Sequence, residues 1–398
     1  MRVLQFSAVY SGAQKTLETG IHRYLQKNGQ ESYILYCTGD ETERADTHIY
    51  CCETSSARLF RKLMRRFFPK SPLGGAWSAL QLIGHMRKIR PDVVHLHTIH
   101  HGYILYSIVL RYLARKKIPV VYTVHDMWVF TGGCYHYSDR QCRGFDTGCR
   151  HCSAAACDLD CLPHQTGRFF AQKQKLFARI PRICFVSVSD WVYEEMRKSP
   201  LQDYPQYRIR NAVEEVPRQA QKQNVSYGVF RILGIAAAWN ERKGIHRFLE
   251  LAHLLGDGYE IILVGEVSEN IRSQAPDNIR FAGRIANRAE LQRLYATADL
   301  HVSMSSEETF GMTFVEAAIA GTRSLGFDST AIPGVLREVQ GIVCPVRVSA
   351  VAETIRILRS NREACAFSEE ESSRIEKDFS MENMARQYCR VYEEVGRC

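Results

Sequence analysis

The sequence predicts an α/β protein of two doubly wound, Rossmann-like domains facing across a cleft. Three observations carry this. Short apolar strand-like segments alternate with amphipathic helix-like ones in both halves, the pattern of parallel sheets covered on both faces. The alternation pauses once, around residues 200–229, where YPQYRIRNAVEEVPRQAQKQN is polar and irregular. A chain of 398 residues with 45% hydrophobic content can bury two full cores. The predicted units are 1–205, 206–380 and a last helix over 381–398.

In chain order, VLQFSAV (3–9) reads as a buried strand, YSGAQ as a Gly-containing loop, and 15–29 as a helix ending at Gly29. YILYC (33–37), VVHLH (93–97) and VVYTVHD (120–126) read as further strands, with a helix over 103–117 between the last two. CFVSVSDWV (184–192) is a strand entering a helix. After the pause the rhythm restarts: strand 230–237, helix 245–256 and strand 259–265. Strand-like 278–285, helix 288–298 and strand 299–305 continue it. Ligands of such sheets bind outside the carboxyl ends of the strands.

Charge is uneven. Residues 1–200 carry 28 Lys and Arg against 16 Asp and Glu, a net of +12, while the rest carries −3. A basic half suits an anionic partner: nucleic acid, a membrane surface or a phosphorylated substrate. The basic residues are not interleaved with aromatics on a nucleic-acid module, so no nucleic-acid partner is expected. The N-terminus lacks the apolar run and cleavage site of a signal peptide, and YILYSIVL (103–110) is too short to span a bilayer. A cytoplasmic protein is expected.

The stretch SSEETFGMTFVEAAIAG (305–321) follows the strand 299–305 and enters a helix. The helix start offers N–H groups from Gly311, Met312 and Thr313, which suit a phosphate. Glu308 precedes that end and Glu316 lies one turn inside. On spacing alone two readings stay open: hydroxyl-binding carboxylates flanking a phosphate site, or a helix cap and a solvated helical residue.

Glu308-x7-Glu316, with Phe310-Gly311 between and Glu316-Ala-x-x-x-Gly321 trailing, resembles the signature of family-four retaining glycosyltransferases of the GT-B fold. Other segments match in order: Gly12 in SGA at the glycine-loop position, His125-Asp126 at a strand end, Arg210-Asn211 between the domains, and Lys243-Gly244 in WNERKG. The resemblance implies that Glu316 binds the ribose of a sugar nucleotide, that Glu308 contacts the donor sugar, and that Lys243 neutralises the diphosphate. His125 would hydrogen-bond a donor hydroxyl or stabilise the transition state. The family's Arg six before Lys243 is Ala237 here, and Arg242 is the candidate substitute. In that family the last helix crosses back onto the first domain. The acceptor implied is a polyprenyl-diphosphate-linked intermediate or a glycan. A sugar-nucleotide epimerase of the same fold and a non-catalytic transferase-like scaffold are the alternatives.

The chain has 14 cysteines, and Cys134, Cys142, Cys149 and Cys152 run as C-x7-C-x6-C-x2-C after His125. The final pair has zinc-ligand spacing, so a structural Zn²⁺ on these four is expected, pinning the loop rather than performing chemistry. HDMW…TGGC…C…TGC-x2-C is similar to the colanic-acid, exopolysaccharide-building subgroup. Cys157 and Cys161 have no assigned role. The Asp-x-Asp within CDLDC (157–161) lies in a cysteine-rich loop rather than after a nucleotide-domain strand, so catalysis is expected to need no Mg²⁺ or Mn²⁺. Finally, SARLFRKLMRRFFPK (56–70) puts Leu59, Phe60, Leu63, Met64, Phe67 and Phe68 on one stripe and Arg58, Arg61, Lys62, Arg65 and Arg66 on the other side. It reads either as a core-packed helix with a solvated basic face or as a helix lying on an anionic membrane surface, and peripheral binding at the inner face of the plasma membrane is expected.

Overall fold

A computed structural model describes residues 1–39, 46–68, 72–100, 102–138, 141–150, 152, 162–214 and 228–397. The chain divides into two units, Met1–Arg210 with Met381–Cys398, and Asn211–Ser380. Cys157, Cys161 and the Asp-x-Asp lie outside the described residues.

The first unit holds β1 (Arg2–Tyr10), β2 (Glu31–Gly39), β3 (Ile49–Cys51), β4 (Val93–Thr98), β5 (Val120–Val124), β6 (Ile183–Ser187) and β7 (Gln206–Arg208). All neighbours run parallel, in the order β3-β2-β1-β4-β5-β6-β7. β4, β5 and β6 are buried along their whole length, because parallel strands sheathed by helices on both faces have no wet side. The second unit holds β8 (Phe230–Ala238), β9 (Tyr259–Glu266), β10 (Ile279–Gly283), β11 (Leu300–Ser303), β12 (Ser324–Phe327) and β13 (Ile342–Cys344), also all parallel, in the order β10-β9-β8-β11-β12-β13. Its core joins Phe230, Ile232, Phe248, Leu263, Val302 and Leu325.

Both orders reverse direction once, between β1 and β4 in the first unit and between β8 and β11 in the second. Crossovers on either side of such a reversal go to opposite faces, which opens a crevice at the carboxyl edge. The helix Met381–Arg397 packs on the helix Gly12–Lys27 and buries Tyr388 and Tyr392 in the first unit. Gly20 leaves the room that Met381 occupies: a Cβ there would sit 2.5 Å from its sulfur.

Candidate functional site

The second unit carries Arg242, Lys243, Glu308, Gly311, Met312, Thr313 and Glu316 on the loops and the helix that follow β8 and β11. β8 ends in the exposed Ala237 and Ala238, and the loop after it turns back at Asn240, whose Oδ1 accepts from the Lys243 N–H at 3.0 Å. β11 leads into the loop carrying Glu308. The two loops are laced together: Ser306 N donates to the Arg242 carbonyl at 2.9 Å, and Arg247 donates to the Met304 carbonyl at 2.8 Å. Lys243 Nζ then meets Glu308 Oε1 at 2.5 Å. Glu308 is fixed from its backbone as well, its N–H donating to Thr330 Oγ1 at 2.9 Å and its carbonyl accepting from Ala331 at 3.2 Å. Glu308 therefore does not cap the following helix. The N-cap of Met312–Ile319 is Gly311, with φ +90° and no side-chain cap bond. A Cβ on Gly311 would lie 2.7 Å from the Phe314 ring, so only glycine fits this turn. Met312 and Thr313 are half-buried in the first turn, beside their free N–H groups.

Glu316 is not a solvated residue. Its Oε2 accepts from the Tyr295 hydroxyl at 2.9 Å, and its Oε1 lies 4.0 Å from Arg288. Burial raises its carboxyl, opposed by the Tyr295 hydrogen bond and the Arg288 charge. Arg288 also pairs with Glu214 at 2.9 Å. Neither Arg288 nor Tyr295 was singled out in the sequence. Their seven-residue spacing on RAELQRLYATA places both on one helix face, which is the signal that points to them.

In the first unit, Gly12 follows β1 at φ +56° and opens the helix Gly12–Lys27 rather than lying in a longer loop. His125 stands at the end of β5, half-buried, with Nε2 3.1 Å from Nδ1 of His97. The rings stack, centroids 5.4 Å apart and planes at 20°. Nε2 of His97 lies 3.2 Å from Gln5 Oε1, and Gln5 Nε2 donates to the Glu18 carbonyl at 3.1 Å. Burial pushes His125 down to about 4, with Asp126 opposing and His100 adding to the shift. Asp126 caps the turn at Trp128 N (2.9 Å) and pairs with His100 at 3.2 Å. A second buried cluster lies under the first helix: Gln14 Nε2 donates to Glu18 Oε1 at 2.9 Å and to Ser7 Oγ at 2.5 Å.

The cysteine loop is partly drawn together. Cys134 is buried, and Cys142, Cys149 and Cys152 are half-buried. A Cβ on Gly144 would lie 3.5 Å from Cys142 Sγ and 4.0 Å from Cys149 Sγ. Cys149 Sγ accepts from the Gly132 N–H at 3.2 Å, and burial pushes its thiol up to about 11. Among the described residues no three His, Cys, Asp or Glu side chains converge as a metal-holding group.

The basic helix is observed over Ser55–Phe67, with Leu59, Phe60, Leu63, Phe67 and Phe68 exposed. It is not core-packed through that stripe. Arg61, expected on the wet basic face, is instead 5% exposed, with Nε and Nη2 both 2.9 Å from the Glu53 carboxylate. No helix among the described residues is long and apolar enough to cross a membrane.

The family profile described as Glycosyltransferase Family 4 matches residues 19–214, and the profile described as Glycosyl transferases group 1 matches 230–361. The N-acetyl-alpha-D-glucosaminyl L-malate synthase of Bacillus anthracis is 27% identical over 147 residues, which is 36% of this chain and 37% of that protein. The chain thus spans little more than a third of that relative's length. Sucrose-phosphate synthase from Thermosynechococcus elongatus superposes with a TM-score of 0.69 at 14% identity, covering 99% of both chains. Anabaena HepE in complex with UDP gives 0.65 at 13% identity, covering 99% of this chain and 100% of its own. The two sheets, the whole-chain likenesses and the matched profiles together support a GT-B glycosyltransferase of the family-four type.

Proposed function

We propose that this chain is a retaining hexosyltransferase. It moves a sugar from a nucleoside diphosphate sugar to a polyprenyl-diphosphate-linked or glycan acceptor in bacterial surface polysaccharide synthesis, of the exopolysaccharide or lipopolysaccharide kind. The observation that carries the reading is the Lys243–Glu308 contact at the reversal point of the second sheet. It puts a cation suited to a diphosphate beside a carboxylate suited to sugar hydroxyls, next to a helix N-terminus. In this reading Lys243, Arg242 and the amides of Gly311, Met312 and Thr313 hold the diphosphate. Glu316 accepts from the ribose, Glu308 from the sugar, and His125 from a sugar hydroxyl, while Gly12 lets the first unit's backbone come close to the substrate. HepE binding UDP supports a nucleotide donor. Catalysis is then positioning and stabilisation of the leaving diphosphate, without Mg²⁺ or Mn²⁺. Transfer is expected to survive EDTA. The matched profiles are those of transferases, which favours transfer over epimerisation. A structural Zn²⁺ on Cys134, Cys142, Cys149 and Cys152 belongs to the same reading, and metal analysis of purified protein checks it: less than one zinc per chain ends it.

The test is a thermal-shift screen with UDP, GDP, ADP, CMP and their sugar conjugates. A ligand at about 100 times its dissociation constant adds roughly 2.7 kcal/mol. Stabilisation by one nucleotide family, lost in Glu316→Ala, is the expected result. A response that survives in Glu316→Ala moves the site elsewhere, and no response to any nucleotide favours the scaffold.

A further inference from the structure

Resting on the transferase reading, we propose that Gln5 and His97 are positioning residues that hold His125 with Nε2 protonated and Nδ1 bare, as acceptor for a hydroxyl of the sugar substrate. The proton positions follow from the contacts in order. A backbone carbonyl only accepts, so the Gln5 atom 3.1 Å from the Glu18 carbonyl is the amide nitrogen. The Gln5 oxygen therefore faces Nε2 of His97 at 3.2 Å, and that nitrogen must carry the hydrogen. Neutral His97 then has a bare Nδ1, and Nε2 of His125, 3.1 Å away, must donate to it. One ring atom of His125 is left, Nδ1, and it has no hydrogen-bond partner among the described residues.

The framework is rigid enough to enforce this. Gln5 is fully buried and His97 is 2% exposed. The His97 ring lies between His125 on one side and His95 on the other, the latter centroid 3.9 Å away. His95 is itself held at both nitrogens, 2.7 Å from Tyr392 Oη and 2.7 Å from Thr123 Oγ1. Burial also lowers both His97 and His125, keeping the pair neutral. A bare imidazole nitrogen attracts a hydroxyl hydrogen and repels a phosphate oxygen. His125 is thereby assigned a neutral sugar hydroxyl, not the diphosphate.

The test is long-range ¹⁵N–¹H correlation spectroscopy of the His125 ring at pH 7, in wild type, Gln5→Leu, His97→Phe and His97→Asn, each checked for folding by melting. Asn puts an amide oxygen near the place of Nδ1, so His97→Asn keeps the acceptor and should keep the wild-type tautomer. His97→Phe and Gln5→Leu should give mixed tautomers, and kcat/KM for transfer should fall about tenfold, the worth of one hydrogen bond, with recovery in His97→Asn. Nucleoside diphosphate affinity should stay unchanged throughout. A wild-type ring protonated at Nδ1, or doubly protonated, overturns the proposal. That spectrum decides even if every variant misfolds. A changed tautomer with unchanged transfer in His97→Phe overturns the hydroxyl role. The stated tautomers without transfer from any donor support the proton assignment and overturn the transferase reading instead.

Discussion

Lys243 and Glu308 are the residues on which the proposed donor site turns, and their pairing makes separate demands on each. A nucleoside diphosphate competes with Glu308 for the ammonium, so Lys243→Met should weaken diphosphate binding by about 1.5–3 kcal/mol, the range of a hydrogen bond to a charged group. The nucleoside alone should bind as before. Calorimetric titration of both ligands checks this, and equal losses would place Lys243 off the phosphates. Glu18 offers a prediction on stability. Burial raises its carboxyl from 4.5 to about 8, against the hydrogen bonds from Ser7 and Gln14, and its Oε2 is buried without a partner. Between those values the folded chain keeps a proton that the unfolded chain releases. Stability from this group is therefore full below about 4.5 and falls as pH rises to about 8. Urea melts across that window should show the fall in wild type and a flatter profile in Glu18→Gln. Parallel profiles would mean that Glu18 is ionised in the fold.

At the scale of elements, the turn at Gly244 holds the proposed donor site in shape. Gly244 sits at φ +80°, and a Cβ there would lie 2.6 Å from the Met304 carbonyl oxygen, a backbone atom with little room to yield. Gly244→Ala should lower stability by about 1–3 kcal/mol and weaken nucleotide binding, since it pries apart the loops carrying Lys243 and Glu308. Unchanged melting and affinity would show that the loops relax freely. The helix Ser55–Phe67 leaves Leu59 59% and Phe67 68% exposed beside the exposed Arg58, Lys62 and Arg66. An apolar stripe flanked by cations suits an anionic bilayer surface. Reversing Arg58, Lys62 and Arg66 to Glu should release the protein from anionic vesicles, and unchanged co-sedimentation would sink the idea. Arg61 is left out because its reversal would break the buried pair with Glu53. The helical pattern showed the amphipathic stripe but could not show that pair, since Glu53 lies outside the helix and closes on Arg61 only in the fold. In the same way β12 and β13, of four and three residues, are too short to carry a period. The Glu308 and Glu316 positions were legible because a helix start and fixed spacing define them. The Tyr295 and Arg288 partners depend on how two helices pack.

For the whole molecule, alternation predicts parallel sheets but leaves strand order open. The observed orders turn back once in each sheet, at β1 and at β8. The chain's return is a tertiary fact of another kind. The helix Met381–Arg397 is distant in sequence from the helix Gly12–Lys27 and the strands β4 and β5 on which it packs. Yet Tyr392 reaches His95 at 2.7 Å and Tyr388 reaches Thr123 at 2.9 Å, in the middle of β4 and β5. Met384, Ala385, Tyr388, Val391 and Tyr392 are all buried, so removing the helix would bare an apolar face of the first unit and leave His95 short of a partner. The second unit closes its own sheet and core without it. Deleting 381–398 should therefore cost β4 and β5 their amide protection in hydrogen-exchange mass spectrometry while β8 and β9 keep theirs. The milder Tyr392→Phe should lower stability by about 1–3 kcal/mol, the cost of a buried polar atom left unpaired. Equal loss of protection in both sheets would mean that the two units unfold as one cooperative body. Loss in neither would make the last helix an ornament rather than a part of the first unit. Since His95 also braces the His97 ring, the same deletion should disturb the His125 tautomer, tying the end of the chain to the carboxyl edge of its first sheet.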